Sequence, residues 1–292
     1  MLKVVLLVFL GLLWSVRLSS IKAAGLSGIP IHVVVAIATL GIAAFFTGTA
    51  VWRGSWPPVN RSTMFFYVFS GTLGFILPFM LESLVAPSLP VFVFIVIIAT
   101  MPVITLIIST AVGHETLGVV PVMSVVLGFA GAMAILWDTA RITPSGDTSL
   151  IWVGIAFGVP TLYALNTVFV AKRWPSGVTA VQVAHAQTLI MSVAVLFGSL
   201  IAGTFDAWSD VTLNMPAMGL IIVCEGLALL VYLKIAHDYG ATYVSFANYI
   251  SMIFAALIGV LVFEEQMTWL SMVAAGTIVG AITIYQSQIV RG

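Results

Sequence analysis

The sequence predicts an all-α membrane protein in which ten transmembrane helices form two inverted five-helix repeats. Three observations support this prediction: the composition, ten apolar runs of spanning length, and residue matches between the two halves of the chain. Of the 292 residues, 61% are hydrophobic and only 7% are charged, whereas soluble domains have about 45–50% apolar and about 25% charged residues. So few charges cannot cover a water-facing surface of this size, and lipid is therefore the main solvent.

The ten apolar runs each have the length that a bilayer requires. A spanning helix needs about 20 mainly apolar residues, and Pro, Gly and charged residues separate the runs from one another. The predicted spans cover residues 2–22, 31–51, 64–84, 88–110, 119–138, 150–170, 180–202, 216–235, 242–263 and 267–287. The connections are short, which leaves no room for a separate domain outside the membrane.

The distribution of Lys and Arg predicts the orientation, because positively charged residues favour the cytoplasmic side of a membrane. With the N-terminus inside, seven of these residues are cytoplasmic: Lys3, Arg53, Arg61, Lys172, Arg173, Lys234 and Arg291. Lys22 and Arg141 are then outside, and Arg17 lies within the first span. An even number of spans returns the C-terminus to the cytoplasm. We therefore expect a multi-pass protein of the plasma membrane with both termini cytoplasmic.

Matches between the halves recur at an offset of about 150 residues. They pair Lys22 with Lys172, Ser27–Gly28 with Ser176–Gly177, Glu115 with Glu265, and Gly131–Ala132 with Gly280–Ala281. This offset contains five spans, and an odd number inserts the second half upside down relative to the first. The predicted repeats are residues 1–141 and 142–292. Inverted repeats are typical of transporters that work by alternating access.

Glycine and proline residues inside the spans predict local features of the helices. Gly154 and Gly158 in the sixth span, and Gly276 and Gly280 in the tenth, have the spacing that lets helices approach closely. We expect these pairs to act within the chain more than between chains. Pro78, Pro102 and Pro160 should kink or locally open their helices.

Two ionisable residues lie well inside spans, where a charge costs about 2.5–3.5 kcal/mol on insertion scales. They are Arg17 in the first span and Glu225 in the eighth. One interpretation is an ion pair that holds two helices together. The alternative is that both face a water-filled cavity, where Glu225 is a candidate to carry a proton and the two charges together suit a zwitterion. Glu82, near the end of the third span, is predicted to be a solvated helix end.

Uncharged polar and aromatic residues add a candidate lining for a small-molecule pocket. A few convergent polar groups among aromatic side chains are typical of such pockets, although each group alone also fits an interhelical hydrogen bond. The candidate substrate-binding residues are Trp14, Arg17, Tyr163, Asn166, His185, Glu225, Asn248 and Tyr249. We also predict a central cavity lined by spans one, three, four, six, eight and nine.

Several other functions lack their sequence signals. No basic tract is present for nucleic-acid binding, and the single cysteine, Cys224, provides no disulfide framework or cysteine-rich metal site. His114–Glu115 begins like a zinc-protease helix, but Gly118 stands where the second His is needed. We therefore predict no enzyme activity, metal or cofactor. A membrane enzyme or a channel remains a distant alternative.

Several motifs resemble the EamA-type transporters of the drug/metabolite transporter superfamily. In the first half these are Gly11–Leu12–Leu13–Trp14–Ser15, Pro102–Val103–Ile104, Glu115–Thr116–Leu117, Gly128 and Gly131. The second half repeats the pattern as Gly259, Glu264–Glu265–Gln266–Met267–Thr268, Gly276 and Gly280. The chain departs from the family pattern at Ser15, Arg17 and Met252, and Arg17 bears on the class of substrate.

The resemblance implies export of a small metabolite through a bacterial inner membrane. Amphipathic, amino-acid-like substrates fit the two charges best, while drugs, quaternary amines and nucleotide or sugar conjugates stay open as alternatives. The expected partners are this substrate and the lipid bilayer, with protons as a further candidate. The chain is expected to be a monomer or a homodimer.

Overall fold

The computed structural model describes residues 2–26, 30–85, 97–140, 150–203, 215–263 and 269–289. Within these ranges the chain forms helices and no strand. The first half contains α1 (Leu2–Leu26), α2 (Ile31–Arg53), α3 (Arg61–Gly71), a π-helical turn (Thr72–Ile76), α4 (Leu77–Val85), α5 (Met101–Ala111) and α6 (Val119–Ala140). The second contains α7 (Leu150–Ala156), α8 (Gly158–Arg173), α9 (Ala180–Ala202), α10 (Met215–Tyr239), α11 (Ala241–Ser245), α12 (Ala247–Phe263) and α13 (Trp269–Ile289).

Seven helical segments of the described chain are long and apolar enough to cross a membrane. They are Leu2–Ile21, His32–Arg53, Arg61–Glu82, Ile151–Arg173, Ala180–Ala202, Pro216–Tyr239 and Ala241–Ile258. Three shorter apolar helices cover Met101–Ala111, Val119–Ala134 and Met272–Tyr285. The predicted helical membrane protein is therefore confirmed. The count of ten stays a prediction, because much of the fourth predicted span lies outside the described residues.

Side-chain caps and glycines fix several helix ends. The Asn60 side chain accepts hydrogen bonds from the first turn of α3, and Thr63 completes the capping box. Thr179 and Gln182 form the same arrangement at the start of α9. Gly54 and Gly203, both with a positive φ, end α2 and α9 in the left-handed conformation.

The helices open next to the three prolines, as the sequence predicts. The π-helical turn immediately precedes α4, which contains Pro78. Phe157 separates α7 from α8, and Pro160 lies in the first turn of α8, while Pro102 lies in the first turn of α5. Proline has no backbone N–H to donate, so a first turn accepts it while a helix interior must open around it.

The helices of the two halves pack against each other in a reciprocal pattern. The first helix of the first half, α1, packs on α10 and α12, which are the third and fourth spans of the second half. The first long helix of the second half, α8, packs correspondingly on α4 and α5 of the first half. The last helices of the two halves, α6 and α13, pack on each other. Every one of these contacts joins one half to the other.

The buried core is continuous at one end of the bundle and divided at the other. A large cluster joins residues of both halves and includes Leu7 and Leu10 near the start of α1. Two smaller clusters lie toward the opposite end. The α1–α2–α10 cluster consists of Ala24, Val33, Val34, Ala38, Ala217, Met218 and Ile221, and the α4–α7 cluster consists of Val85, Ile97 and Ala156. Among the described residues, these two clusters share no helix.

The close approach of α6 to its neighbours depends on glycines outside the two predicted pairs. A Cβ atom on Gly128 would lie 2.6 Å from Cε2 of Tyr249, and one on Gly131 would lie 2.8 Å from Cγ1 of Ile278. These two glycines let α6 pack closely on α12 and α13. The Gly276–Gly280 pair makes no close contact within the described chain, since no described atom lies within 4 Å of a Cβ built on either residue, and its role in packing stays a prediction. In the other pair, Gly158 contacts Leu81 but Gly154 has no such neighbour.

We expect Gly128→Ala to destabilise the protein by about 1–3 kcal/mol, the usual cost of overpacking. The Tyr249 ring is fully buried, so it cannot move away from the added methyl group. Thermal unfolding in detergent measures the effect as a lower midpoint. Gly276→Ala is the matched control and should leave the midpoint nearly unchanged, so equal effects of the two variants would contradict the packing argument.

Candidate functional site

The structure brings Arg17 of α1 against Glu225 of α10. Arg17 Nε lies 2.9 Å from Glu225 Oε2, and 29% and 24% of the two side chains remain accessible. Neither of the two contacting atoms completes a hydrogen bond, because the N–H does not point along the line to the oxygen. The contact is therefore a close ion pair without the aligned geometry that makes such pairs strong.

A second carboxylate, Glu82 of α4, belongs to the same cluster. Tyr163 of α8 donates a hydrogen bond from Oη to Glu82 Oε1 at 3.1 Å. Glu82 also lies close enough to interact electrostatically with both Arg17 and Glu225. The sequence predicts a solvated helix end at Glu82, whereas in the structure Glu82 interacts with Tyr163, Arg17 and Glu225. We call Arg17, Glu82, Tyr163 and Glu225 the charged cluster.

An aromatic and polar group adjoins the charged cluster along α1, α8 and α10. The Trp14 and Tyr232 ring centroids are 6.4 Å apart. Asn166 Nδ2 donates to Tyr232 Oη at 3.2 Å, and Thr167 Oγ1 lies 3.0 Å from the same oxygen. Tyr232 is not among the residues predicted from the sequence, although it follows Glu225 by seven residues and so shares its helix face.

The π-helical turn between α3 and α4 makes room for Asn166. A Cβ atom on Gly74, inside that turn, would lie 2.4 Å from Asn166 Nδ2, so only glycine leaves the amide in place. Asn166 is 2% exposed, and its Oδ1 atom has no hydrogen-bond partner among the described residues. A buried acceptor without a partner is costly. It is therefore a group that a ligand N–H could satisfy.

His185 lies in a different polar cluster, near the connection between α2 and α3. Its Nε2 atom is 3.0 Å from Thr47 Oγ1, and its ring centroid is 5.7 Å from that of Trp56. The side chain is 1% exposed, so it is enclosed by these neighbours. The structure does not bring His185 to the charged cluster.

Asn248 and Tyr249 contact the core around α12. Asn248 Nδ2 donates to the Ser245 carbonyl at 3.0 Å and lies 3.2 Å from Met101 Sδ. Tyr249 is fully buried, with Oη 3.5 Å from the Val125 carbonyl oxygen. Both residues therefore already have partners within the protein. Among the described residues, no group of three His, Cys, Asp or Glu side chains is placed to hold a metal ion.

At the N-terminal end of the bundle, which is the end at which α1 begins, hydrogen bonds join the two halves of the chain. Glu115 Oε1 of the first half accepts a hydrogen bond from the Thr242 backbone N–H of the second half at 3.0 Å. Gln182 Nε2 donates to the Trp56 carbonyl at 2.9 Å, and Lys172 Nζ donates to the carbonyl of Val112. These three bonds connect the loops of one half to helices of the other, and they close this end.

We expect Arg17→Gln and Glu225→Gln each to destabilise the protein by about 1–2 kcal/mol, because each leaves a charge unpaired inside the bundle. A fully buried pair would lose about 3–5 kcal/mol, and we expect a smaller loss here because both side chains keep part of their surface accessible. The double variant should lose less than the sum of the single losses. Thermal unfolding in detergent measures the three values, and strict additivity would contradict a direct interaction.

Comparison with known proteins places this arrangement in a family. The EamA-like transporter family matches the chain twice, over residues 1–137 and over residues 150–286. Comparison with curated proteins finds no match. A solved structure titled "Crystal structure of protein" is similar in fold, with a TM-score of 0.77 and 14% identity, over 97% of this chain and 94% of that chain. The two family matches together cover nearly the whole sequence, and the chain belongs to the EamA-like transporter family.

Proposed function

We propose that the chain is a secondary transporter that exports a small amphipathic, amino-acid-like metabolite by alternating access. Family membership makes it a membrane transporter of the drug/metabolite transporter superfamily, with a small-molecule substrate and a lipid environment. The Arg17–Glu225 pair is the observation that supports the proposed substrate class and mechanism. These residues lie within predicted spans, and yet 29% and 24% of their side chains stay accessible, as expected for groups that line a cleft.

The division of the core supports a cleft beside this pair. Arg17 and Glu225 lie on α1 and α10, which hold the α1–α2–α10 cluster, whereas Glu82 lies on α4, which contributes to the α4–α7 cluster. The charged cluster therefore bridges two separately packed groups of helices. At the N-terminal end, by contrast, the core is continuous and the halves are hydrogen-bonded together. We infer a conformation that is closed at the N-terminal end and opens toward the other.

The chemistry of the site suits an amphipathic substrate with charged groups. The guanidinium of Arg17 matches a carboxylate, and the carboxylate of Glu225 matches an ammonium group. Because the two side chains contact each other without an aligned hydrogen bond, a ligand can replace that contact with better-aligned bonds. The rings of Trp14 and Tyr232 offer an apolar surface to the rest of the substrate.

Of the predicted substrate-binding residues, five meet in or beside the charged cluster: Trp14, Arg17, Tyr163, Asn166 and Glu225. We propose these as the binding site. His185, Asn248 and Tyr249 remain sequence-based predictions, because their contacts lie elsewhere in the bundle.

The reciprocal helix packing supports alternating access by inverted repeats. The pairing of α1 with α10 and α12 corresponds to the pairing of α8 with α4 and α5. Two repeats that pack reciprocally have two nearly equivalent arrangements, which open to opposite sides of the membrane. We propose that the halves 1–141 and 142–292 rock about the charged cluster.

The charge distribution and the family resemblance support the proposed membrane, orientation and direction of transport. The distribution of seven Lys and Arg residues against two supports cytoplasmic termini, and the resemblance to exporters supports export through a bacterial inner membrane. In this orientation the closed N-terminal end faces the cytoplasm. Either a monomer or a homodimer is compatible with this proposal.

Drugs, quaternary amines and nucleotide or sugar conjugates form the alternative substrate class within the same superfamily. A quaternary amine would use the carboxylates and the aromatic rings but not the guanidinium of Arg17. A membrane enzyme or a channel is a distant alternative, and family membership argues against both.

Counterflow in proteoliposomes tests the proposal, using a panel of labelled amino acids and amines. We expect Arg17→Gln and Glu225→Gln each to slow saturable exchange about tenfold or more, as the loss of one charge-assisted contact predicts. Asp238→Asn is the matched control, because Asp238 pairs with Lys234 on an exposed turn of α10 and should leave exchange unchanged. Wild-type rates in both site variants would contradict the proposed site.

A further inference from the structure

The hydroxyl group of Tyr232 in α10 is held by two side chains of α8. Asn166 Nδ2 donates to Tyr232 Oη at 3.2 Å, and Thr167 Oγ1 lies 3.0 Å from the same oxygen. The Thr167 hydroxyl donates its one hydrogen to the Tyr163 carbonyl at 2.7 Å, so Tyr232 must be the donor toward Thr167. The Tyr232 hydroxyl therefore accepts one hydrogen bond and donates another.

These two hydrogen bonds fix the position of the Tyr232 ring. Asn166 and Thr167 are 2% and 1% exposed, so water does not compete with them for the hydroxyl. If the ring moved away, polar atoms on both helices would stay buried without partners, and this is more costly than the net strength of the bonds suggests. Hydrogen bonds in a connected chain also strengthen one another. The ring is therefore a fixed surface and not an adjustable one.

Gly74 in the π-helical turn supports this arrangement from the first half of the chain. A Cβ atom on Gly74 would lie 2.4 Å from Asn166 Nδ2 and 2.8 Å from Asn166 Cγ. An added methyl group would therefore displace the atom that donates to Tyr232. The absence of a side chain at position 74 keeps the amide in hydrogen-bonding distance of the ring hydroxyl.

The fixed ring packs directly on Trp14, which limits the shape of a side chain that fits beside it. The two ring centroids are 6.4 Å apart and the ring planes are inclined by 41°, as in a direct contact between two aromatic side chains. A third ring between them would need parallel planes with centroids about 7 Å apart, twice the contact distance of carbon atoms. A flexible aliphatic side chain needs no such slot and can lie along the surface of the pair.

We propose that Thr167 and Asn166 are positioning residues that hold the Tyr232 ring, and that the held ring makes the site prefer aliphatic over aromatic substrates. The proposal rests on the function proposed above and narrows its substrate class to amino acids with an aliphatic side chain. An aromatic substrate must displace the ring and break both bonds to its hydroxyl, whereas an aliphatic substrate leaves them intact. Arg17 and Glu225 bind the charged groups of both kinds of substrate, so the preference comes from the ring.

A double-mutant cycle on the purified full-length protein tests the hydrogen bond between Thr167 and Tyr232. Thr167→Val keeps the shape of the side chain and removes the acceptor, and Tyr232→Phe keeps the ring and removes the hydroxyl. We expect each variant to lower the thermal unfolding midpoint in detergent, and the double variant to lower it by less than the sum. Thr161→Val is the matched control, because the Thr161 hydroxyl also donates to a carbonyl four residues earlier on α8. Its effect should add to that of Tyr232→Phe, and equal additivity for Thr167→Val would overturn the proposal.

Counterflow of labelled leucine and labelled phenylalanine in proteoliposomes tests the preference. We expect the wild type to exchange leucine with the lower KM. Thr167→Val and Asn166→Leu should each raise the exchange of phenylalanine relative to leucine about fivefold, the factor that one neutral hydrogen bond usually contributes. Gly74→Ala should act in the same direction, and Thr161→Val should keep the wild-type ratio. A purely structural role would lower both rates together, so an unchanged ratio in Thr167→Val, or a wild type that prefers phenylalanine, would overturn the proposal.

The two measurements separate this proposal from the proposed function. If the cycle shows coupling but the wild type exchanges neither amino acid, the proposed function fails together with the substrate preference, and the hydrogen-bonded position of Tyr232 stands. If the wild type exchanges leucine and Arg17→Gln abolishes this exchange, the proposed function stands. An unchanged ratio of phenylalanine to leucine in the positioning variants would then overturn the specificity assignment alone.

Discussion

Arg17 and Glu225 meet where α1 of the first half packs on α10 of the second, and the arrangement of the site depends on this contact. Each charge is too costly to leave alone at membrane depth, so each requires the other. The contact fixes the rotation of both helices about their axes, because the two side chains must point toward each other. Trp14, one turn before Arg17, and Tyr232, two turns after Glu225, are brought together by the same rotation.

The close approach of helices limits where the bundle can move. Gly128 and Gly131 let α6 lie against α12 and α13 with no space for a methyl group, so these helices form a rigid support. Glu115, which accepts the Thr242 backbone N–H, ties the loop before α6 to the helix that precedes α12. The end of the bundle opposite the start of α1 is divided into two separately packed clusters. Our proposal that the halves rock relies on this rigid packing around α6 and on the division of the core at that end.

The irregular turn between α3 and α4 positions residues of the site. The π-helical turn places Gly74 beside Asn166, and the missing side chain of this glycine leaves space for the amide. The amide in turn donates to Tyr232 and leaves its own oxygen without a partner. A regular helix through residues 72–76 would rotate every later residue of α4, including Glu82, to a different position around the axis.

Composition, spacing and charge were sufficient to determine the class of protein from the sequence. Low charge content identified lipid as the solvent, the 150-residue offset identified two repeats, and depth in the membrane identified Arg17 and Glu225. The sequence could not reveal that these two are partners, that Glu82 and Tyr163 complete the cluster, or that His185 and Tyr249 contact other parts of the bundle. The hydrophobic pattern indicates only how far along a span a residue lies. Which face of a helix meets which neighbour depends on packing between residues that are far apart in the chain, and only the tertiary structure decides it.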